Sequence, residues 1–252
     1  MILYFSATGN SLHVAKKIAL PGEKLISITE AERKNQYKLT VNDERLGIIF
    51  PTYDFTMPNI VSGYLDKLEL SFDKKPYLFY VGTYGTTTGA ASSMANDLLK
   101  KKGLAFDAFF DIRMPDTWTP MFDLSDPKKV KQINEHADNE IEELKSQLAK
   151  KITGKHMSLT LPKFAGKIGK LIYERKVSRT DNLILIDACI GCGLCANKCP
   201  VQAIEMQDKK PVWVKSHCVM CLGCLHRCPK NSIEYGPNTR KHGQYLHPEM
   251  SR

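Results

Sequence analysis

Long apolar runs are missing from this sequence. A helix that crosses a bilayer needs roughly 18 consecutive apolar residues, and no stretch of the 252 residues approaches that length. The amino terminus also lacks the basic region that opens a secretory signal peptide, and a polar loop begins as early as Ser6. The sequence therefore predicts neither a membrane-spanning segment nor a cleaved leader.

Several enzyme motifs are also missing. The chain contains no G-x4-G-K-[ST] phosphate loop and no G-x-G-x-x-G dinucleotide fingerprint. No Ser–His–Asp or metal-hydrolase arrangement can be recognised in it. These absences argue against a separate nicotinamide-binding domain and against hydrolysis, and we assign no catalytic residue from the sequence.

Cysteine is absent from residues 1–188, and all 8 cysteines lie in two identical frames. The first frame reads Cys189-Ile-Gly-Cys192-Gly-Leu-Cys195-Ala-Asn-Lys-Cys199-Pro200. The second reads Cys218-Val-Met-Cys221-Leu-Gly-Cys224-Leu-His-Arg-Cys228-Pro229. Both follow the pattern C-x2-C-x2-C-x3-C-P, which is typical of 4Fe–4S clusters.

Two other uses of closely spaced cysteines fit this pattern less well. Disulfides between cysteines this close would be strained, and zinc sites usually pair two C-x2-C knuckles rather than triplets. The frames therefore predict two 4Fe–4S clusters. Since thiols committed to clusters indicate a reducing compartment, we expect a cytoplasmic protein.

The two frames belong to an internal repeat. Equivalent cysteines are separated by the same offset, since 218−189, 221−192, 224−195 and 228−199 all give 29. The offset extends to the prolines after each frame and to Ile204 and Ile233. A repeat of this kind predicts one unit used twice, here a strand, a cysteine loop and a short helix, with the halves burying each other.

Residues 181–237 thus resemble the bacterial two-cluster ferredoxins. In that family the fourth cysteine of each frame serves the other cluster. The resemblance implies that Cys189, Cys192, Cys195 and Cys228 hold one cluster, and that Cys218, Cys221, Cys224 and Cys199 hold the other. Many members have Gly after the second cysteine, as at Gly193, whereas the second frame has Leu222 there and Gly223 one place later.

The first part of the chain alternates strand and helix patterns. Short apolar runs predict five strands, at residues 1–5, 25–28, 46–50, 77–81 and 106–112. Helical patterns follow the first, third and fourth runs, and a long helix is predicted from about residue 126 to 151. Alternation of this kind predicts an α/β fold with a doubly wound five-stranded parallel sheet.

Three distinctive loops follow strands one, three and four, where such sheets bind ligands. The small and hydroxyl-bearing residues of the first loop can cradle a phosphate at a helix N-terminus. The loops are Ser6-Ala7-Thr8-Gly9-Asn10-Ser11, Pro51-Thr52-Tyr53-Asp54-Phe55-Thr56-Met57-Pro58 and Gly82-Thr83-Tyr84-Gly85-Thr86-Thr87-Thr88-Gly89.

The first loop resembles the flavodoxin pattern [ST]-x-T-G-x-[ST]. In flavodoxin-like proteins the other two loops hold the isoalloxazine ring, although Asp54 stands where flavodoxins have Gly. The resemblance implies an FMN site made of Ser6, Ala7, Thr8, Gly9, Asn10, Ser11, Pro51, Thr52, Tyr53, Asp54, Thr83, Tyr84, Gly85, Thr86 and Gly89.

Together the two parts resemble the flavodoxin–ferredoxin fusion family. This implies a flavodoxin-like domain at 1–152 and a small α+β ferredoxin domain at 181–237. We expect a basic helical linker at 153–180 and a C-terminal tail at 238–252 on the surface, with a tail folded back between the domains as the alternative. The expected function is electron transfer between FMN, two 4Fe–4S clusters and redox partner proteins such as a ferredoxin, a flavodoxin or an oxidoreductase. An FMN-dependent reductase that takes hydride from NAD(P)H, and an iron–sulfur redox sensor, remain alternatives.

Positive charge is concentrated in one segment. Residues 145–180 hold ten basic residues and one acidic residue, so they contribute 10−1 = +9, which equals the net charge of the whole chain. Within it, residues 163–176 predict an amphipathic helix with Phe164, Ile168, Leu171 and Ile172 on one face. We expect that face to pack on a domain. A docking surface for an acidic partner and a membrane-surface anchor are the alternatives, and nucleic-acid binding is not indicated.

Overall fold

The computed structural model describes residues 1–250, without the side chains of Lys163 and Ala165. The strands are β1 Ile2–Tyr4, β2 Leu25–Ser27, β3 Lys38–Thr40, β4 Arg45–Pro51, β5 Glu69–Ser71, β6 Tyr77–Tyr84, β7 Ala108–Arg113, β8 Gly154–His156, β9 Leu183–Leu185, β10 Ile204–Gln207, β11 Lys210–Trp213 and β12 Ile233–Tyr235. The α-helices are α1 Asn10–Ile18, α2 Ile28–Arg33, α3 Asn59–Lys67, α4 Ala91–Lys100, α5 Pro127–Ala149, α6 Lys163–Ile172, α7 Leu194–Asn197, α8 Gly223–Arg227 and α9 Thr239–His242.

The main sheet is parallel throughout, with strand order β2-β1-β4-β6-β7-β8. The predicted α/β class is confirmed, and the five predicted strands are present. The sheet has one strand more than predicted, because β8 pairs with β7 at the edge. Its exposed Gly-Lys-His sequence carries no apolar signal, and it lies within the segment predicted to be a linker.

Helices cover both faces of this sheet. Successive residues of one strand point to opposite sides, so Ile48 joins one core and Ile49 the other. The first core includes Val61 of α3 and Leu99 of α4, and the second includes Ile141 of α5. Burial on both faces explains why the central strands read as continuous apolar runs.

The second unit is small and consists of two halves. Two antiparallel strand pairs, β9 with β12 and β10 with β11, enclose α7 and α8. Its cores are built around Leu225 and Ile233 in one half and Ala203 and Ile204 in the other. This arrangement matches the α+β ferredoxin-like unit expected from the repeat.

The second unit packs against the end of the parallel sheet where the loops after β1, β4 and β6 lie. Val219 is buried in the core of the first unit, and the Arg227 guanidinium donates to the Ala7 carbonyl. The His226 Nε2–H donates to the Thr117 carbonyl at 2.9 Å. Within residues 1–250, no helix is both long and apolar enough to cross a bilayer.

Candidate redox centres

The eight cysteines fall into two groups of four around two separate cavities. Cys189, Cys192, Cys195 and Cys228 line one, which we call the first cavity. Cys199, Cys218, Cys221 and Cys224 line the other, which we call the second cavity. Each group takes three cysteines from one frame and the fourth from the other, which is the exchange that the ferredoxin resemblance implies.

Backbone amides point at the sulfurs in a repeated pattern. Ala203 N–H donates to Cys199 Sγ and Ser232 N–H donates to Cys228 Sγ, each at 3.2 Å. The two bonds are related by the 29-residue offset, since 232−203 = 228−199 = 29. Amide donors of this kind favour a thiolate bound to iron over a thiol, so the donor set fits a cluster in each cavity.

The backbone of the two cysteine loops repeats as well, but the residues do not. Gly191 and Gly193 have positive φ in the first frame, with values of 69° and 74°. Their equivalents, Met220 and Leu222, also have positive φ, with values of 46° and 52°. The second loop therefore takes up a left-handed geometry that is unfavourable for these two residues, and both side chains are buried.

Burial dominates the acid–base properties of Cys218 and Cys221 in the second group. It raises the pKa of the Cys218 thiol to about 12 and that of the Cys221 thiol to about 11, with neighbouring thiols adding to the effect at Cys218. In the metal-free chain these cysteines are protonated at neutral pH, and iron must displace their protons when it binds.

A cleft of about 360 Å³ opens at the end of the parallel sheet. The lower end of the usual range for ligand pockets is roughly 300 Å³. The cleft lies between the loops of the first unit and the second cysteine loop. Its lining is Asn10, Pro51, Thr52, Tyr53, Asp54, Phe55, Thr83, Tyr84, Gly85, Thr86, Thr87, Met114, Pro115, Asp116, Thr117, Trp118, Met121, Phe122, Tyr173, Val177, Met220, Cys221 and Leu222.

Nine of the 15 residues predicted to bind FMN line this cleft: Asn10, Pro51, Thr52, Tyr53, Asp54, Thr83, Tyr84, Gly85 and Thr86. The other six do not line it: Ser6, Ala7, Thr8, Gly9, Ser11 and Gly89. The first five of these precede or begin α1, directly beside Asn10. Gly89 lies behind the second loop, where an added Cβ would come within 2.3 Å of the Phe55 carbonyl oxygen.

The first loop leads into α1 without a side-chain cap. Gly9 is the N-cap at φ 105°, and the first N–H groups of the helix have neither an intrahelical acceptor nor a capping side chain. The Ser11 and Thr83 hydroxyls lie 2.7 Å apart, which ties the first loop to the third. This geometry fits an anion such as a phosphate.

The C-terminal tail covers the other side of the first loop. Its predicted position on the surface is wrong for Tyr245 and His247, which are both buried. His247 N–H donates to the Thr8 carbonyl at 2.8 Å, and the Tyr245 hydroxyl donates to Asn10 Oδ1 at 2.9 Å. The last two residues of the predicted tail lie outside the described residues.

Two carboxyl groups face the cleft. Burial raises the pKa of both Asp54 and Asp116. Asp116 accepts from the Thr86 hydroxyl and the Trp118 amide, whereas Asp54 Oδ2 has no hydrogen-bond partner among residues 1–250. Asp54 has φ 47°, so it takes up the left-handed geometry that Asp tolerates better than most residues.

The cleft and the second cavity share a wall. Met220, Cys221 and Leu222 line both. One cysteine of the second group is therefore also part of the cleft. A ligand in the cleft would therefore lie directly beside the second cysteine group.

Sequence reasoning missed much of the far side of the cleft. Met114, Pro115 and Asp116 follow β7, and the general rule that ligands bind beyond the carboxyl ends of strands could have indicated them. Tyr173 and Val177 bound a π-helical turn after α6, and no local pattern connects that turn to the cleft. The Tyr173 hydroxyl donates to the Val219 carbonyl and so joins this turn to the second cysteine loop.

Comparisons with known proteins identify one part of the chain clearly. Residues 182–229 match the family model described as a 4Fe-4S dicluster domain. No curated protein matches the chain. The match and the paired cysteine groups show that this segment is an iron–sulfur domain of the electron-transfer type.

Solved structures give only weak similarities. Rubredoxin oxygen:oxidoreductase from the anaerobe Desulfovibrio gigas shares 16% identity at a TM-score of 0.34, over 59% of this chain and 36% of that one. A flavodiiron core from Synechocystis sp. shares 18% identity at a TM-score of 0.34, over 58% of this chain and 36% of that one. A protein from Bacteroides uniformis described as a flavoprotein shares 14% identity at a TM-score of 0.31, over 54% of this chain and 96% of that one. The chain thus spans about a third of the length of the first two, and similarity at this level carries no functional information.

Proposed function

We propose that this chain is an electron-transfer flavo-iron–sulfur protein of the flavodoxin–ferredoxin fusion type. In this proposal FMN occupies the cleft and one 4Fe–4S cluster occupies each cysteine cavity. The shared wall of Met220, Cys221 and Leu222 carries the proposal, because it makes the cleft and the second cavity immediate neighbours. Such proximity is what electron exchange between two cofactors requires.

The clusters would be held by the two cysteine groups as the cavities define them. The four thiolates of each group would supply four sulfur ligands to one cluster. The amides of Ala203 and Ser232 would stabilise the charge on two of these sulfurs. The first cavity reaches the surface at the exposed residues Ile190 and Cys192. Redox partner proteins would exchange electrons with the chain there.

The flavin would be held by the three loops. When bound, FMN supplies chemistry that accepts electrons in pairs or singly. The amides at the start of α1 would bind its phosphate, and Tyr53, Tyr84 and Trp118 would provide aromatic walls around its ring. The side chains of Leu222 and Met220 are buried in the wall between the cleft and the second cavity.

A shuttle and a reductase differ in what reduces the flavin, because a reductase must also stack a nicotinamide or another substrate on it. For a shuttle we expect NAD(P)H to leave the flavin oxidised under anaerobic conditions, and a reduced ferredoxin to reduce it. Bleaching by NAD(P)H would favour the reductase instead.

A cofactor count tests the proposal. Protein purified anaerobically should contain about one FMN and about eight irons per chain. The Cys221→Ala variant should lose about half of the iron, whereas a Ser6→Ala variant should keep all of it and retain less flavin. A full iron count without flavin, even after FMN is offered, would contradict the flavin half of the proposal.

A further inference from the structure

Helix α6 presents an unusual surface. Its apolar face was expected to pack on a domain, and that expectation is wrong. Phe164 is 67% exposed, Ile168 57%, Leu171 47% and Ile172 48%. The exposed residues Leu159 and Leu161 precede the helix and extend the same apolar character.

Two glycines explain why the large apolar side chains of α6 face solvent. An added Cβ on Gly166 would come within 2.5 Å of Ala90 Cβ, and one on Gly169 within 2.5 Å of the Asp54 carbonyl oxygen. The helix therefore rests on the protein through its glycine face, where only a residue without a side chain fits. The larger apolar side chains are left outward.

Three separate faces follow from the helical geometry. At about 100° per residue, the four apolar side chains span an arc of about 100°, which is the width of a surface-binding stripe. Lys167 and Lys170 lie beside this arc, on the side away from Gly169. From Lys163 to Arg179 the segment has six basic residues and one acidic residue, or 6−1 = +5.

We propose that α6 binds the surface of an anionic lipid bilayer, with Phe164, Ile168, Leu171 and Ile172 inserted among the lipids and the flanking basic residues on the headgroups. An apolar stripe bordered by lysine and arginine is the signature of helices that lie in a membrane interface. Protein interfaces, in contrast, are depleted in lysine. At 10 residues the helix lies along a bilayer rather than across it.

The position of the helix gives this binding a consequence for the cleft. α6 rests on the second loop through Gly169, and its π-helical extension supplies Tyr173 to the cleft wall. Phe55 and Met121 are both exposed and both line the cleft. Membrane binding through α6 therefore holds the mouth of the cleft close to the lipid surface.

Vesicle flotation with the holoprotein tests the proposal. Vesicles of phosphatidylcholine with about a third phosphatidylglycerol should bind at least about tenfold more protein than vesicles of phosphatidylcholine alone. Binding to the anionic vesicles should fall as salt rises from 0.05 to about 0.5 M. The Lys167→Glu/Lys176→Glu variant should lose most of this binding.

A matched pair of variants locates the surface. Ile168→Asp should abolish vesicle binding, whereas Leu20→Asp should not, because Leu20 is equally exposed at 56% but lies far from α6 in the chain. Both variants should keep the iron content and the thermal unfolding midpoint of the parent, since both side chains face solvent.

Three results would overturn the proposal. One is the absence of binding to anionic vesicles. Another is binding that Ile168→Asp leaves unchanged, or that Leu20→Asp reduces as much. The third is a dimer in solution that Ile168→Asp dissociates while vesicle binding is absent, which would make a second copy of the chain the occupant of this face.

Discussion

Arg227 is a buried cation at the junction of the two units. Its guanidinium donates to the Ala7 carbonyl in the first loop and to the Gly223 carbonyl at the start of α8. Cys221 and Cys224 lie close enough to raise its pKa, against the larger lowering by burial. Because an arginine stays charged even when buried, it places a fixed positive charge between the first loop and the second cavity.

Removing this charge should make the second cluster harder to reduce. We expect Arg227→Gln to lower the midpoint potential of one cluster by roughly 50–100 mV, since the electron loses a nearby positive charge. Arg227→Lys should largely retain the parent potential. Potentiometry followed by electron paramagnetic resonance measures the shift.

The repeat supplies a control for the Arg227 experiment. Lys198 occupies the equivalent place in the first frame, since 227−29 = 198, and it is exposed. Lys198→Gln should leave both potentials nearly unchanged because solvent screens the charge. Equal shifts from the two substitutions would contradict a specific role for the buried arginine.

The ionised carboxylate of Asp54 should destabilise the folded chain at neutral pH. Burial raises the pKa of its carboxyl above the unfolded value, so the ionised form is disfavoured in the fold. This cost is present above the folded pKa and disappears as the pH falls through it. Asp54→Asn should therefore stabilise the flavin-free, cluster-loaded chain by roughly 0.5–1 kcal/mol at pH 7, a modest value because the side chain is only partly buried.

The pH dependence distinguishes this explanation from a simple packing effect. The stability difference between Asp54→Asn and the parent should be constant near neutral pH and should narrow as the pH falls through the raised pKa of Asp54 towards the ordinary carboxyl value of 3.8. Denaturant unfolding at several pH values measures it. A difference independent of pH would mean that ionisation of Asp54 is not its cause.

Leu222 shows how side-chain burial can outweigh backbone preference. Its positive φ is unfavourable by roughly 1–2 kcal/mol, but its side chain is buried between the cleft and the second cavity. Leu222→Gly should thus destabilise the holoprotein by about 1–3 kcal/mol, because the lost packing exceeds the relieved strain.

A substitution in the first cysteine frame measures the backbone strain without the loss of packing. Gly193 has the same geometry, and an added Cβ there meets its nearest atom, Asn197 Nδ2, at 3.7 Å. Gly193→Leu should cost roughly 1–2 kcal/mol from the backbone alone. Anaerobic unfolding followed at the cluster absorbance compares the two variants, and a stabilising Leu222→Gly would contradict this account.

At the scale of elements, the packing of α6 on the second loop depends on the glycines of the helix. Gly169→Ala should push the helix away from Asp54 and destabilise the chain by roughly 1–3 kcal/mol, because the added Cβ would overlap backbone. Gly63→Ala in α3 is the control, since nothing lies within 4 Å of its added Cβ. That variant should gain up to about 1 kcal/mol from helix propensity. Destabilisation by both would point to a general intolerance of helical substitution.

The elements that could be predicted from the sequence are those whose burial pattern is local. β4 and β6 are apolar runs buried on both faces, and Pro127 marks the start of α5 next to an Asp126 cap. β8 could not be predicted, because it is held only by pairing to β7 at an exposed edge. The orientation of α6 was mispredicted because an amphipathic pattern cannot reveal that a glycine face will pack instead.

The same distinction applies to the candidate site. The two cysteine frames and the three loops are continuous motifs, so the sequence indicates them directly. Tyr173 and Tyr245 approach the site only through tertiary packing, and the pattern around them is uninformative. The position of His13 on α1 does not reveal its burial either, because it is buried by the tail that folds over it and by His247, which stacks on its ring with centroids 3.9 Å apart.

At the scale of the whole molecule, contacts connect the cleft and the two cysteine cavities. The cleft adjoins the second cavity, and α7, which carries Cys195 of the first group, packs against α8, which carries Cys224 of the second. In the proposed function, electrons that enter at the cleft would leave at the exposed end of the first cavity. The formal charge of +9 would fall to about +3 with two clusters and FMN bound, since each carries about −2.

An anaerobic reductive titration tests this central claim most directly. The holoprotein should take up about four electrons per chain, two at the flavin and one at each cluster. The flavin and cluster absorbance bands should report the same redox equilibrium throughout, because neighbouring cofactors exchange electrons rapidly. Uptake of about two electrons, with a flavin that is absent or stays oxidised while the clusters are reduced, would contradict the account.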